Sequence, residues 1–369
     1  MLSPSPIIVI MQGVAEWNHW RRLQAPKAEA PELREALLIR AELPRINLSH
    51  VDGCISNFSG ANLFKADLTQ ASFYTANLSQ TRLDCAQLRE VDMREANLRE
   101  ASLIRVEAEN SNFAMADLHG SNLREAILNH STFCEASLTD VDGCMAHMDH
   151  CNFSYGNLQN SVFYTANLQQ ANFRRANFTA ADFREANLTQ AILEDINGCR
   201  TNFARAILDR AILTGAVLTE ANFTMASLNL AILNQANLSH AQIQNAILTR
   251  ASLVDTTLYR TQLQNSILEE TDCRQAVFRE ANLEQVNFRG ANLAGANFRG
   301  ANLTGANLMG ANLQEACLVD ANLHQANLSQ VDLRSTQMAG ADFSHAVLTG
   351  TQMPADDAQS MDKVLIASL

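Results

Sequence analysis

The stretch Ala291-Asn292-Leu293-Ala294-Gly295 and its close copy Ala301-Asn302-Leu303-Thr304-Gly305 belong to a five-residue repeat that decides the fold. The repeat continues without a change of register through 63 consecutive pentapeptides, residues 41–355. The central residue, whose number ends in 3 or 8, is Leu, Phe, Met or Ile in 58 of them. The residue two places earlier is Ala in 40 units and Val, Ile, Ser, Thr, Cys or Gly in the other 23. Self-similarity at one fixed period is the signature of a solenoid.

A period of five matches neither the 3.6-residue turn of an α-helix nor the two-residue alternation of a flat strand. We therefore predict that the chain bends in every pentapeptide and closes into stacked coils, with the central residue and the residue two places before it pointing inward. Central Phe residues form seven pairs 20 residues apart, five pairs 10 apart, and two pairs each 5 and 15 apart. This spacing favours four pentapeptides per coil. At about 4.8 Å per coil, the repeat would form a rod on the order of 75 Å long.

The units follow the pattern A-(N/D)-L-X-X, and in this the chain resembles the pentapeptide-repeat family over about 85% of its length. Residues 13–21, Gly-Val-Ala-Glu-Trp-Asn-His-Trp-Arg, also resemble the leader of many bacterial and especially cyanobacterial members. The resemblance implies an all-β fold, a right-handed quadrilateral parallel β-helix with a short N-terminal helical cap. It implies no particular activity, because the family has none in common.

The sequence divides into a leader and helical cap (1–40), the repeat (41–355) and a C-terminal tail (356–369). An open solenoid end exposes apolar surface and unpaired backbone, so it requires a cover. We predict that a helix over residues 12–24 covers the first coil with Val14 and Trp17; the alternative is that Trp17 and Trp20 bind a partner.

The tail after Pro354 carries helix-start signals and an apolar face. It is expected either to cap the last coil or to pair with a second copy of the chain, forming a homodimer through an end or a face. The helix-start residues and the apolar residues are Asp356, Asp357, Met361, Val364, Leu365 and Leu369.

The only markedly apolar run near the start, residues 7–11, is too short to span a bilayer, and no Lys or Arg precedes it as in a signal peptide. The sequence therefore predicts no membrane span and a cytoplasmic location. Eight Cys residues in 369 are too sparse for a disulfide scaffold, so free thiols are expected.

Inward positions that are all apolar or small leave no concave site for catalysis, and the sequence has no glycine-rich phosphate loop or nucleophile motif. We predict a non-enzymatic protein that needs no cofactor. One cluster has zinc-ligand chemistry, but inward-facing Cys151 would point away from the others, so we expect no metal there. These candidate ligands are Cys144, His147, His150, Cys151 and His130.

Gly53-Cys54, Gly143-Cys144 and Gly198-Cys199 repeat one deviation, a glycine at the central position followed by Cys. The missing side chain would leave a cavity or a backbone bulge that turns the Cys inward. A tolerated duplication is the simpler interpretation, and a thiol-sensing role is the alternative.

The position before each centre is Asn or Asp in 35 units, which suits polar ladders between coils, but isoleucine replaces it repeatedly between residues 191 and 270. Exposed apolar residues indicate a surface for a protein partner. The alternative is that β-branched residues merely favour a strand-like backbone. The residues of this predicted surface are Ile192, Ile212, Ile232, Ile207, Ile247, Ile267 and Leu230.

A net charge of -12 argues against direct binding of nucleic acid, which needs clustered Lys and Arg. A protein-interaction scaffold with an unidentified partner is the favoured function. Family members that mimic DNA and bind type II topoisomerases suggest an alternative, and metal or thiol sensing is a second. Against mimicry stand Arg residues adjacent to Glu, which would neutralise the outer charge: Arg94-Glu95, Arg99-Glu100, Arg184-Glu185 and Arg279-Glu280.

Overall fold

Two short helices precede the repeats in the computed structural model, which describes residues 5–24 and 30–354. Helix α1 spans Pro6–Ile10 and helix α2 spans Val14–Leu23. Helix α2 lies within the range predicted from the sequence, whereas α1 was not anticipated. The predicted C-terminal tail lies outside the described residues. By its contacts the chain divides into two compact units, Met1–Asn187 and Leu188–Leu369.

Helix α2 bonds to the backbone edge of an early coil. Trp17 is fully buried, and its Nε1 donates to the carbonyl of Asn47 at 2.6 Å. The Asn18 side chain accepts from the amide of Asn47 at 2.8 Å and donates to the carbonyl of Arg45 at 3.1 Å. In later coils the corresponding backbone groups bond to residues about 20 positions earlier, as in the bond from the Asn57 amide to the Ala36 carbonyl. The helix thus satisfies polar groups that stacking satisfies elsewhere.

Parallel β-bridges join each residue before a centre to the residue 20 positions later. They run from Glu32↔Asp52 to Asn167↔Asn187 in the first unit, and from Ile192↔Ile212 to Asp332↔Gln352 in the second. An offset of 20 residues confirms four pentapeptides per coil. Each pentapeptide contributes one bridged residue and then turns, so the described repeats contain single bridges where an all-β fold suggested longer strands.

The repeat begins earlier than the expected boundary at residue 41. Glu32 is already bridged, and Leu33 and Leu38 are buried at central positions. The first two units escaped detection because Pro31 and the apolar Leu37 depart from the pattern of the later units.

Backbone hydrogen bonding within a unit is illustrated by residues 61–65. The amides of Leu63 and Lys65 donate to the next coil, the amide of Asn62 donates to the previous one, and the next unit begins with a turn bond from Ala66 to Leu63. The remaining amide, of Phe64, donates to Oδ1 of Asn62 at 3.2 Å. Asn and Asp recur before the centre because they complete each turn locally. The predicted ladders between coils also form, as between Asn177 and Asn157, but are less frequent.

The last residue of almost every unit has a left-handed backbone, with φ between 53° and 63° at the non-glycine positions. This conformation strains most side chains and favours glycine. It accounts for the glycines at five successive corners, Gly290, Gly295, Gly300, Gly305 and Gly310.

Central side chains fill the interior of each unit. Phe113, Phe133, Phe153 and Phe173 form a stacked column with ring centroids 4.8–4.9 Å apart, and Phe203 stacks on Phe223 in the second unit. Columns of this kind explain the 20-residue spacing of Phe in the sequence.

The central glycines leave neither a cavity nor a bulge, contrary to the expectation from sequence. A Cβ built on Gly143 would lie 2.4 Å from Cε1 of Phe163, and one on Gly53 would lie 2.6 Å from the same atom of Phe73. A ring from the next coil therefore occupies the space of the missing side chain. Cys144 is buried beside this packing.

Candidate functional site

The isoleucine columns of the second unit meet along one corner. Bridges link Ile192 to Ile212 and Ile212 to Ile232, so these three form a continuous column. The other column holds Ile207, Ile247 and Ile267, with Ser227 between the first two. Leu230 ends the pentapeptide that separates one face from the next, so it lies at the corner where the columns adjoin. We call these seven residues the isoleucine corner.

Exposure varies across the isoleucine corner. Ile207, Leu230, Ile232 and Ile247 are 37–44% exposed, whereas Ile192, Ile212 and Ile267 are half-buried. The sequence analysis missed two exposed apolar residues nearby, Val217 and Met225. Val217 replaces Asn before a centre, as the isoleucines do, and Met225 occupies a corner position like Leu230; both signals were present in the repeat register.

Ion pairs neutralise much of the outer charge, although with partners other than those expected. Arg94 bonds Asp92 and Arg184 bonds Asp182, two residues earlier, while Arg99 reaches Asp117 in the next coil at 3.0 Å. These partners win because a side chain before the centre and one after it project from the same face. In the second unit the hydrogen bond from Arg274 lowers the pKa of Asp272, which keeps that carboxylate charged and paired.

The residues nominated as metal ligands do not converge as a set. Cys151 is buried, and its Sγ donates to the carbonyl of Leu128 at 3.0 Å. Cys144 is buried as well, while His147 is exposed. Side-chain ligand atoms come together instead at His130, His150 and Asp149, all within 4.8 Å of one another. Asp149 was overlooked because the sequence analysis considered only Cys and His.

Thiol chemistry separates the cysteines into two groups. Burial raises the pKa of Cys144 to about 11, and burial raises the pKa of both Cys151 and Cys273 to about 12. Burial also raises the pKa of Cys54. Because the thiolate is the reactive form, these four thiols are poor redox sensors.

Iodoacetamide at pH 8 should therefore discriminate between the two groups. In native protein, we expect alkylation at the half-buried cysteines at least about tenfold faster than at the buried ones, and equal rates after unfolding in urea. Peptide mass spectrometry measures both. Fast native alkylation of Cys144 or Cys54 would contradict this assignment and revive the sensing hypothesis. The half-buried group is Cys85, Cys134, Cys199 and Cys317.

Buried hydroxyls serve the backbone. Ser131 Oγ donates to the carbonyl of Ala108 at 2.7 Å, and Thr256 Oγ1 donates to the carbonyl of Leu233 at 2.8 Å. Such bonds satisfy the inward polar groups and bring no base to them. Among the described residues, no helix is long and apolar enough to cross a membrane.

Matches to the pentapeptide repeats family model cover residues 32–140, 146–195 and 200–353. The two gaps contain Gly143-Cys144 and Gly198-Cys199, where the central side chain is missing. A comparison with curated proteins gives no match.

Similar solved structures include HetL, a pentapeptide repeat protein involved in heterocyst differentiation regulation in the cyanobacterium Nostoc, at 27% identity over 62% of this chain and 89% of that chain (TM-score 0.24). A pentapeptide repeat protein of the Arabidopsis thaliana thylakoid lumen is 27% identical over 28% and 72% (TM-score 0.27). QnrB1, a plasmid-mediated fluoroquinolone resistance protein, is 16% identical over 65% and 96% (TM-score 0.24). These TM-scores are low, so the family assignment rests on the sequence model.

Proposed function

Because the chain belongs to the pentapeptide-repeat family, which implies a right-handed β-helix with a filled interior, we propose that it is a non-enzymatic protein-interaction module that works through an outer face. The observation that carries the proposal is the isoleucine corner of the second unit. Its two columns adjoin at Leu230, which is itself exposed. A contiguous apolar surface of this kind favours association with a protein partner.

The position before the centre normally serves the turn, which makes isoleucine there costly for local hydrogen bonding. At Asn222 and Asn237, for example, the side chain accepts from the amide two residues later at 3.0 Å. Isoleucine cannot accept that bond. Six isoleucines at such positions within the second unit therefore support selection for an apolar surface rather than for the turn.

Replacing Ile192, Ile212 and Ile232 together with Asn should leave the fold intact and reduce association. Asn suits this position in many coils and can accept the local turn bond. Each isoleucine buried in an interface would contribute roughly 1.5 to 3 kcal/mol, so the triple variant should lose nearly all of the proteins captured by the parent, or its self-association. Thermal melting, mass in solution and affinity capture from cell extract measure these properties.

The matched control replaces Gln242 and Gln262, which occupy the same position of the repeat on another face, with Asn. It should keep both melting temperature and association. If the triple variant retains the parent's mass and captured proteins, the isoleucines serve only the backbone, and the proposal is wrong. A collapse of its melting temperature would contradict their outward placement.

Mimicry of DNA is the second candidate, motivated by the net charge of -12. Enrichment of a type II topoisomerase by the parent, undiminished in the triple isoleucine variant, would favour it. The ion pairs speak against it, since paired carboxylates such as Asp92 and Asp182 lack the unbroken negative potential of a phosphate backbone.

A further inference from the structure

We propose that His130, Asp149 and His150 of the first unit form a binding site for a divalent transition-metal ion of the zinc class. The two histidines occupy the last position of pentapeptides 20 residues apart, so they share one corner in neighbouring coils. Their ring centroids are 4.8 Å apart with an interplanar angle of 27°. Asp149 Oδ2 lies 3.2 Å from Nδ1 of His150.

The backbone fixes the spacing of the three ligands. His130 and His150 have left-handed φ values of 62° and 58°, which set the direction of both side chains from the corner. The amide of His130 donates to the carbonyl of Asp149 at 2.9 Å, and the amide of Asp149 donates to Oδ1 of Asn129 at 3.2 Å. The coil spacing thus holds the ligands in register before any ion arrives, which lowers the ordering cost of binding.

The donor set selects the class of ion. Two imidazoles and one carboxylate match a three-ligand zinc site that keeps a fourth position open for water or another ligand. Imidazole favours Zn²⁺, Ni²⁺ and Cu²⁺, whereas Mg²⁺ and Ca²⁺ prefer sets made of oxygen. The ligand atoms lie within 4.8 Å of one another, and a shared ion at about 2.1 Å from each requires them to approach further. Both histidines are exposed, so side-chain rotation can bring this about.

Local charge also favours a cation. Residues 111–170 contain six carboxylates and a single Arg, giving a formal charge of -5. That residue, Arg124, is paired with Asp142 at 3.1 Å. Attraction between a cation and the surrounding carboxylates therefore adds to ligation.

The test is a titration of the full chain, stripped with chelator, with zinc chloride by isothermal calorimetry. The parent should bind about one Zn²⁺ per chain, and Co²⁺ should give a visible absorption band from mixed nitrogen and oxygen ligation. Replacing His130 and His150 with Gln should weaken Zn²⁺ binding at least about tenfold and abolish the band. Gln is accepted at left-handed corners, as at Gln170 and Gln190, so the double variant should fold.

His147→Gln is the matched control, because His147 is exposed in the same acidic segment but lies outside the cluster. It should bind Zn²⁺ as tightly as the parent does. A parent that shows no saturable binding near one ion per chain would overturn the proposal. So would an equal loss of affinity in His147→Gln and in the double variant, because that result would indicate diffuse attraction by the acidic segment.

Discussion

Phe153→Asp should unfold the first unit or bring it close to unfolding. Phe153 is fully buried, with Phe133 stacked at 4.9 Å on one side and Phe173 at 4.8 Å on the other. Truncating a buried Phe costs about 3–5 kcal/mol, and an unpaired charge in an apolar interior adds several more. We therefore expect the free energy of unfolding to fall by more than about 5 kcal/mol, measured by urea denaturation followed by circular dichroism.

Gln170→Asp supplies the control for charge. Gln170 is exposed at a left-handed corner, where Asp is tolerated. Its unfolding free energy should stay within about 0.5 kcal/mol of the parent's. Similar losses in the two variants would mean that the inward and outward positions of the repeat have been misassigned.

Gly143→Leu restores the consensus central residue and should nevertheless destabilise the protein. The ring of Phe163 occupies the space that this side chain needs, with two ring atoms 2.4 and 2.5 Å from the position of a new Cβ. Overpacking a filled core typically costs about 1–3 kcal/mol, and contacts this short place the change at or above the upper end. Chemical denaturation of the purified variant measures the loss.

A double-mutant cycle tests the cause. Phe163→Ala alone should destabilise by leaving a cavity, and combining it with Gly143→Leu should recover part of that loss, because the new side chain fills the vacated space. We expect a favourable coupling of at least about 1 kcal/mol between the two changes. Additive losses would show that Gly143 is required for its backbone and not for the ring of Phe163.

Much of the fold could be predicted because the repeat register encodes it. The inward positions, the four units per coil and helix α2 all followed from spacing alone. The packing of Gly143 against Phe163 was missed, although the two residues stand 20 apart in the sequence and Gly53 and Phe73 repeat the pair. The signal lay in a relation between coils, whereas the deviation was judged within a single unit.

The candidate sites were less predictable, because they depend on corners. A side chain at the end of a pentapeptide projects according to its left-handed φ, which the five-residue pattern does not reveal. His130 and His150 were recognised as sharing a phase, but the participation of Asp149 depends on how the corner orients it. Leu230 was assigned to the exposed surface, yet its position between the two isoleucine columns emerged only from the register of the bridges.

The fixed offset of 20 residues between bridged partners also determines how such a gene can change length. Twenty codons inserted after Gly300 would add one coil and return every later residue of that unit to its original column. Five codons would keep all inward residues inward but move every later column by one face. Loss of one pentapeptide between Ile212 and Ile232 would thus preserve the core and divide the isoleucine column between two faces. Selection can tolerate changes in length that leave stability untouched, while the working face survives only those that are multiples of 20.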